Sequence, residues 1–340
     1  MALGISVVML VFTFGKVHLH PLSVAWRFDP RELWAVLAAR PWAFVLVGLL
    51  EGLQLPLRAW LWRYVLPKGT STQGARYHAI ALGALAQNVL PARAGELVRG
   101  LSLSQHCSGL GRTRSLTTVA TSKLAELAAL LTFVALAPLT VDLAKPELAT
   151  FRHGAWVGGI VLVALVTLFV LLTRARGRAH HIESALRHLP GKLGCKLAVG
   201  IDELAHGAAA VGSLPRGLMA YLAALATVGI AVAAFMAGMW GVGAEHSFGA
   251  ATVVLGAVSL GMSIPSSPSG VGVFHLVCVY AMTALGVEAP RAAAFALALH
   301  LVGTSVNIGM GLISLMRGHE SLGALRGEQP KPVEVEPSVA

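Results

Sequence analysis

Long apolar runs alternate with short polar or basic connections along this chain, and the run lengths predict a helical membrane bundle. The runs over 41–57, 115–139, 156–172, 218–240 and 292–316 approach or exceed the roughly 20 residues that a helix needs to cross the hydrocarbon core. Ala2–Phe14 reads as a further membrane helix, because no basic region precedes it and no small-residue cleavage pattern follows. The run Tyr77–Leu90 is different: at about 14 residues it is too short to span, and it predicts a re-entrant half-helix followed by a second short piece from Glu96 to Leu103. A second interrupted pair, 249–263 and 273–285, surrounds the break Ile264–Gly272. The pattern therefore predicts an all-α polytopic membrane protein, a bundle of about 7–8 membrane helices with two broken or re-entrant helical hairpins. Residues 1–316 form one transmembrane domain on this reading, and 317–340, rich in Glu and Pro, a disordered tail.

The two breaks carry the chemistry. In Asn88-Val89-Leu90-Pro91-Ala92-Arg93-Ala94-Gly95-Glu96-Leu97-Val98-Arg99, Pro91 removes a backbone donor and disfavours helix at Leu90, while Gly95 tolerates dihedrals that other residues resist. Freed backbone groups and the charges of Arg93, Glu96 and Arg99 survive in hydrocarbon only where protein or water covers them. The second break offers Ser267, Ser269 and Gly270 between its prolines and the following helix, and it ends at His275. Two interrupted segments in opposite halves of a chain predict a site near the bilayer midplane.

Composition strengthens the membrane reading: 56% of residues are hydrophobic and 12% charged, against about 25% charged in a soluble domain. Lys and Arg number 26 and Asp and Glu 16, a net charge of +10 carried mainly by connections, which orients helices and meets anionic lipid. Seven Lys/Arg fall between Arg174 and Arg216, and Ile182, Leu186, Leu189 and Leu193 recur there at helical spacing, so an amphipathic cytoplasmic segment is expected over 174–216. The tail falls on the same side. If Arg58–Arg76 lies there too, the polar connection bearing Lys16, Arg27, Arg31 and Arg40 lies on the other. Cys107, Cys195 and Cys278 have neither the spacing of a zinc site nor that of a disulfide framework.

Several polar groups fall inside the apolar runs. Glu51, Gln54 and Arg58 share a helical face at i, i+3 and i+7. Either that face turns to the protein interior, or Arg58 reaches the interface with Glu51 as its partner, at a helix end where Trp60, Trp62, Arg63 and Tyr64 read as an interfacial anchor. Lys123 and Glu126 at i, i+3 form an ion pair whose place in a membrane points to function. His275 and His300 read as a helix–helix hydrogen-bonding group or a proton-relay group, the former favoured.

The string NVLPARAGELVR, the preceding RAWLWRYVL, the later SKLAE and the distal IPSSPSGVGVFH resemble the lysylphosphatidylglycerol synthase transmembrane, or flippase-like, domain family across roughly residues 1–316. The resemblance implies a bundle of about eight membrane helices with re-entrant hairpins. In its bifunctional members this domain moves an aminoacylated phospholipid across the bilayer, and a soluble aminoacyl-transfer domain is attached. Here the synthetic half is expected to be absent. Asn88, Pro91, Arg93, Gly95, Glu96 and Arg99 match the first motif, whereas Ser122-Lys123 stands where relatives often carry Glu-Arg. Pro268-Ser269-Gly270 replaces Pro-Gly-Gly, and His275 stands near a usual glutamate.

Together these features predict a lipid flippase or lipid-linked transporter that moves an anionic or amine-bearing lipid through a charged cavity, with a membrane phospholipid headgroup as partner. Arg93, Arg99 and Lys123 suit phosphate, helped by half-helix N-termini. Glu96 and Glu126 would hold those cations in place or accept a headgroup amine. A secondary transporter or channel for a small ion or solute uses the same broken helices. An enzyme acting on lipid phosphate is disfavoured, since Asp29, Asp142 and Asp202 lie in separate connections. No GxxxxGK[ST] loop occurs, and no cofactor, metal or nucleic-acid partner is expected.

Overall fold

The computed structural model describes residues 15–19, 22–26, 30–90, 94–107, 110–141, 149–174, 213–263 and 268–317. The expected first membrane helix, the 175–212 part of the amphipathic segment and the tail from residue 318 lie outside these. Among the described residues ten α-helices follow one another: α1 Pro30–Ala38, α2 Pro41–Val65, α3 Gln73–Val89, α4 Gly95–His106, α5 Arg112–Leu136, α6 Ala149–Arg174, α7 Leu214–Gly241, α8 Phe248–Gly261, α9 Val273–Ala284 and α10 Ala289–Arg317. The protein is an all-α polytopic membrane protein. Among the described residues four helical stretches, Pro41–Val65, Arg112–Leu139, Leu214–Gly241 and Ala289–Arg317, are long and apolar enough to cross a membrane. One small departure from helix precedes them. The polar connection before Pro41 contains an antiparallel pair, β1 Gly15–Leu19 with β2 Leu22–Trp26, and then α1, so it is ordered rather than irregular.

Long-range contacts fix the directions of the four spanning stretches. Arg40, just before α2, donates to the Trp240 carbonyl near the end of α7 at 2.7 Å. At the opposite ends, Arg216 in the first turn of α7 donates to the Leu66 carbonyl at 2.6 Å. Thus α2 and α7 run antiparallel along their whole length. The α10 helix runs parallel to α2: Arg291 reaches the Gly243 carbonyl, Gly48 faces Val302 and Gly52 faces Met310. The end of α5 meets the start of α8, where Thr140 Oγ1 accepts from the Gly249 amide at 2.7 Å. One face of the bundle therefore carries Arg40, Thr140, Trp240 and Arg291, and the other carries Leu66, Arg76 and Arg216. This geometry puts the Arg40 connection and the Arg63–Arg76 loop on opposite sides.

Small residues let the helices close up. An added Cβ on Gly238 would lie 2.9 Å from Phe295, and one on Gly241 would lie 2.9 Å from Phe44. In a membrane, where lipid is as apolar as the core, such close backbone approach supplies much of the association energy. Trp62, Phe295, Leu55 and Met239 are among the largest side chains fully enclosed between them. Gly311 follows the same rule, since its Cβ would meet Leu85 Cβ at 2.5 Å, whereas Gly309 has open space around it.

Candidate functional site

The first break does what its proline demands. Leu90 caps α3 in an extended conformation, φ −92° and ψ 146°, as the residue before a proline must. Thr72 starts α3 by accepting from the Ala75 amide at 3.1 Å, on the face that carries Arg76 and Leu66. The helix runs inward as far as Asn88, and α4 then returns beside it. A Cβ on Gly95 would lie 2.5 Å from the Gly83 carbonyl oxygen, and His106 stacks edge-on to His78 at 5.1 Å. Helices α3 and α4 are thus a re-entrant hairpin entering from one face.

The second hairpin enters from the other face. Helix α8 begins beside Thr140 and reaches Gly261, which packs on Val277 of the returning α9. The tip turns through Ser269 at φ 60°, a left-handed conformation uncommon outside glycine, and through Gly270 and Gly272 at φ 70° and 93°. Here Ser269 Oγ donates to Asn88 Oδ1 at 2.9 Å, and lies 3.1 Å from His300 Nε2 and 3.0 Å from Thr304 Oγ1. His300 and Thr304 stand near the middle of the 29-residue α10. The two hairpin tips therefore meet deep in the bundle. His275 is not solitary, since its ring lies 4.8 Å from that of His300, with Phe274 edge-on to His300.

Beside the first tip five charges from three helices converge. Lys123 Nζ lies 2.9 Å from Glu96 Oε1 and 3.2 Å from Glu126 Oε2. Arg99 Nη1 lies 3.7 Å from Glu96 Oε2, and Arg58 Nε 3.6 Å from Glu126 Oε1. Three cations and two carboxylates sum to +1. Arg99, 5% exposed, is held over the Trp62 ring at 4.2 Å and donates to Ser122 Oγ at 3.2 Å. Trp62 is itself fixed by its indole N–H donating to Thr118 Oγ1 at 3.0 Å.

The cluster is loosely paired and open on one side. Arg58 Nε, Arg99 Nε, Glu96 Oε2 and Glu126 Oε1 are buried atoms without a hydrogen-bond partner, and the Arg58–Glu126 and Arg99–Glu96 contacts exceed hydrogen-bonding distance. Each such unmade bond costs about 1–3 kcal/mol. Yet Glu96 and Lys123 are 43% and 40% exposed, so a polar group can reach them from outside. An anion sits well against Arg99, Lys123 and Arg58, and an amine against the carboxylates.

Of the residues expected to bind substrate, Asn88 and Ser269 are brought into direct contact, with His275 and Gly270 on the same tip. Glu96, Arg99, Lys123 and Glu126 form a single network. Arg93 and Ser267 lie outside the described residues. Arg58 turns inward to Glu126, while Glu51 packs toward Gly303 of α10, keeps an electrostatic interaction with Arg58 and forms a side-chain hydrogen bond with Gln54. Sequence reasoning missed Trp62, Ser122 and Thr304. Trp62 carried a signal, four residues beyond Arg58 and so on the same helical face, but its aromatic neighbours made it read as an interfacial anchor; Ser122 stood in the SKLAE string without a role of its own, and Thr304 carried no signal.

Fold and geometry define a polytopic membrane protein with two opposed re-entrant hairpins and a charged cluster within its apolar spans. The family model described as the lysylphosphatidylglycerol synthase TM region matches residues 1–311, and the chain belongs to that family. No curated protein and no solved structure matches.

Proposed function

We propose that this protein carries an anionic or amine-bearing lipid headgroup across the bilayer, acting as a flippase or lipid-linked transporter and not as an enzyme. The observation that supports this most directly is the Arg58–Glu96–Arg99–Lys123–Glu126 network, reachable at Glu96 and Lys123 and short of hydrogen-bond partners. A headgroup phosphate bonds to the arginines with charge assistance, and an ammonium takes the place of Lys123 against Glu96. Half-helix α4 begins at the inner tip, so its N-terminal dipole adds positive potential there. The acyl chains stay in lipid. Opposed hairpins sharing the Asn88–Ser269 contact supply the element that can rearrange as the headgroup passes.

On this reading the protein sits in the cell (cytoplasmic) membrane, with the face bearing Arg63, Lys68, Arg76, Arg216 and Arg317 inside. The positive-inside rule supports that orientation, since α7 begins and α10 ends on this face.

The test is movement of labelled lipids in proteoliposomes, comparing anionic, zwitterionic and amine-bearing headgroups for the native chain and for Lys123→Gln and Glu96→Gln. Headgroup-selective movement lost in both variants is expected. Folded protein that moves no lipid, or variants as active as the native chain, overturns the reading and favours a small-solute transporter.

A further inference from the structure

Away from the charged network, a cavity of about 640 Å³ opens on the face where α2 ends and α3 and α7 begin. Among the described residues four cations line it, Arg63, Lys68, Arg76 and Arg216, and no carboxylate does. Arg76 is 5% exposed. Its guanidinium donates to the Ala59 carbonyl at 3.0 Å, to the Ser71 carbonyl and hydroxyl at 2.8 Å each, and to Gln73 Oε1 at 2.8 Å. Arg216 is likewise anchored on the carbonyls of Arg63 and Leu66. Among the described residues every acceptor of these two side chains is neutral, so both guanidinium groups are fixed in position by groups that do not balance their charge. Holding several like charges around one concave space is costly unless an anion joins them.

The depth of the cavity points to the source of that anion. Tyr64 lines it and packs edge-on to Trp60 at 5.6 Å, with Trp60 36% exposed. Such aromatic residues settle at the headgroup level of a bilayer. Gln73, the first residue of α3, also lines the cavity, so unpaired amides of that helix start add to its positive potential.

We propose that this cavity is a binding site for a phosphate monoester or diester, filled by the headgroup of an anionic phospholipid of the adjoining leaflet, and separate from the central network. Arg76 and Arg216 form its rigid floor, and Arg63 and Lys68, both exposed, close over the phosphate. The inference does not rest on lipid transport.

The test uses the full chain purified in detergent, with native mass spectrometry reading retention of phosphatidylglycerol against phosphatidylcholine. The double variant Arg63→Gln/Lys68→Gln leaves the anchored floor intact, and its thermal unfolding is measured alongside. Preferential retention of phosphatidylglycerol is expected, weakened about thirtyfold in the double variant for two charges removed at the headgroup level. Competition by glycerol 3-phosphate supports the site and identifies the phosphate alone as the recognised group; retention without such competition supports it as a lipid site. Equal retention of the two lipids, or a double variant that unfolds normally and retains phosphatidylglycerol as the native chain does, overturns the proposal. Lipid movement lost through Lys123→Gln but kept in the Arg63/Lys68 double variant separates the two sites.

Discussion

Ser269 and Asn88 lie 181 positions apart in the chain and 2.9 Å apart in space, hydroxyl to amide oxygen, where hairpins from opposite faces of the bundle meet. The same hydroxyl is within 3.1 Å of His300 and Thr304, so a single side chain ties both hairpin tips to the long helix α10. Ser269 also carries a left-handed backbone, φ 60°, which costs a non-glycine residue energy.

Two substitutions at this position separate the roles of hydroxyl and backbone. Ser269→Ala keeps the strain and loses the hydrogen bonds, and thermal unfolding in detergent is expected to register a loss of about 1–2 kcal/mol. Ser269→Gly loses the same bonds but relieves a strain of about 1 kcal/mol, so its stability should lie close to native. Equal destabilisation by both would mean that the backbone conformation carries no strain. Reduced transport in both variants, despite different stabilities, is the expected functional outcome.

In the charged network, burial predicts which substitutions disturb folding. Lys123 is 40% exposed, and Lys123→Gln should cost no more than about 1 kcal/mol while abolishing headgroup movement. Arg99→Gln removes a buried guanidinium from the Trp62 ring and from Ser122, and should cost about 2–3 kcal/mol. Chemical denaturation of the two variants in the same detergent checks the order; a reversed order contradicts the burial argument.

The re-entrant hairpin α3–α4 depends on a glycine contact. A Cβ at Gly83 would lie 2.8 Å from the Gly95 carbonyl oxygen, and one at Gly95 would lie 2.5 Å from that of Gly83. Backbone cannot yield as a flexible side chain does, so Gly83→Ala and Gly95→Ala should each destabilise by about 1–3 kcal/mol. Gly309→Ala, which meets open space, is the matched control and should leave the melting temperature unchanged.

Access to the network can be read with cysteine labelling in a background lacking Cys107, Cys195 and Cys278. A cysteine in place of Glu96 or Lys123 is expected to react with a water-soluble thiol reagent in proteoliposomes, since those positions are 43% and 40% exposed. A cysteine in place of the fully enclosed Ser122 should stay unmodified. Protection at all three positions would mean that water does not reach the cluster, and would count against an aqueous headgroup path.

Much of the architecture was legible in the sequence because membrane helices obey a one-dimensional rule. Hydrophobic length alone separates a spanning helix such as Leu214–Gly241 from a half-helix such as Gln73–Val89. Proline chemistry located the end of α3 as well, since the residue before Pro91 has little choice but to be extended. The pairing of Lys123 with Glu126 could be read from their i, i+3 spacing. The extra partner of Lys123, Glu96, could not, because nothing local says which face of α4 meets α5.

Tertiary structure alone decided the rest. Helical periodicity put Glu51, Gln54 and Arg58 on a common face, yet whether Arg58 reaches outward to the interface or inward to Glu126 depends on which helix packs there. Trp62 read as an interfacial anchor and proved to be the fully enclosed surface on which Arg99 lies. That the hairpins enter from opposite faces and touch through Asn88 and Ser269 follows from contacts between distant segments. Apolar length, helix breaks and charge bias are local properties that sequence by itself determined, whereas the partner of each charge is a matter of which distant surfaces fit together, set by glycine-mediated close packing along whole helices.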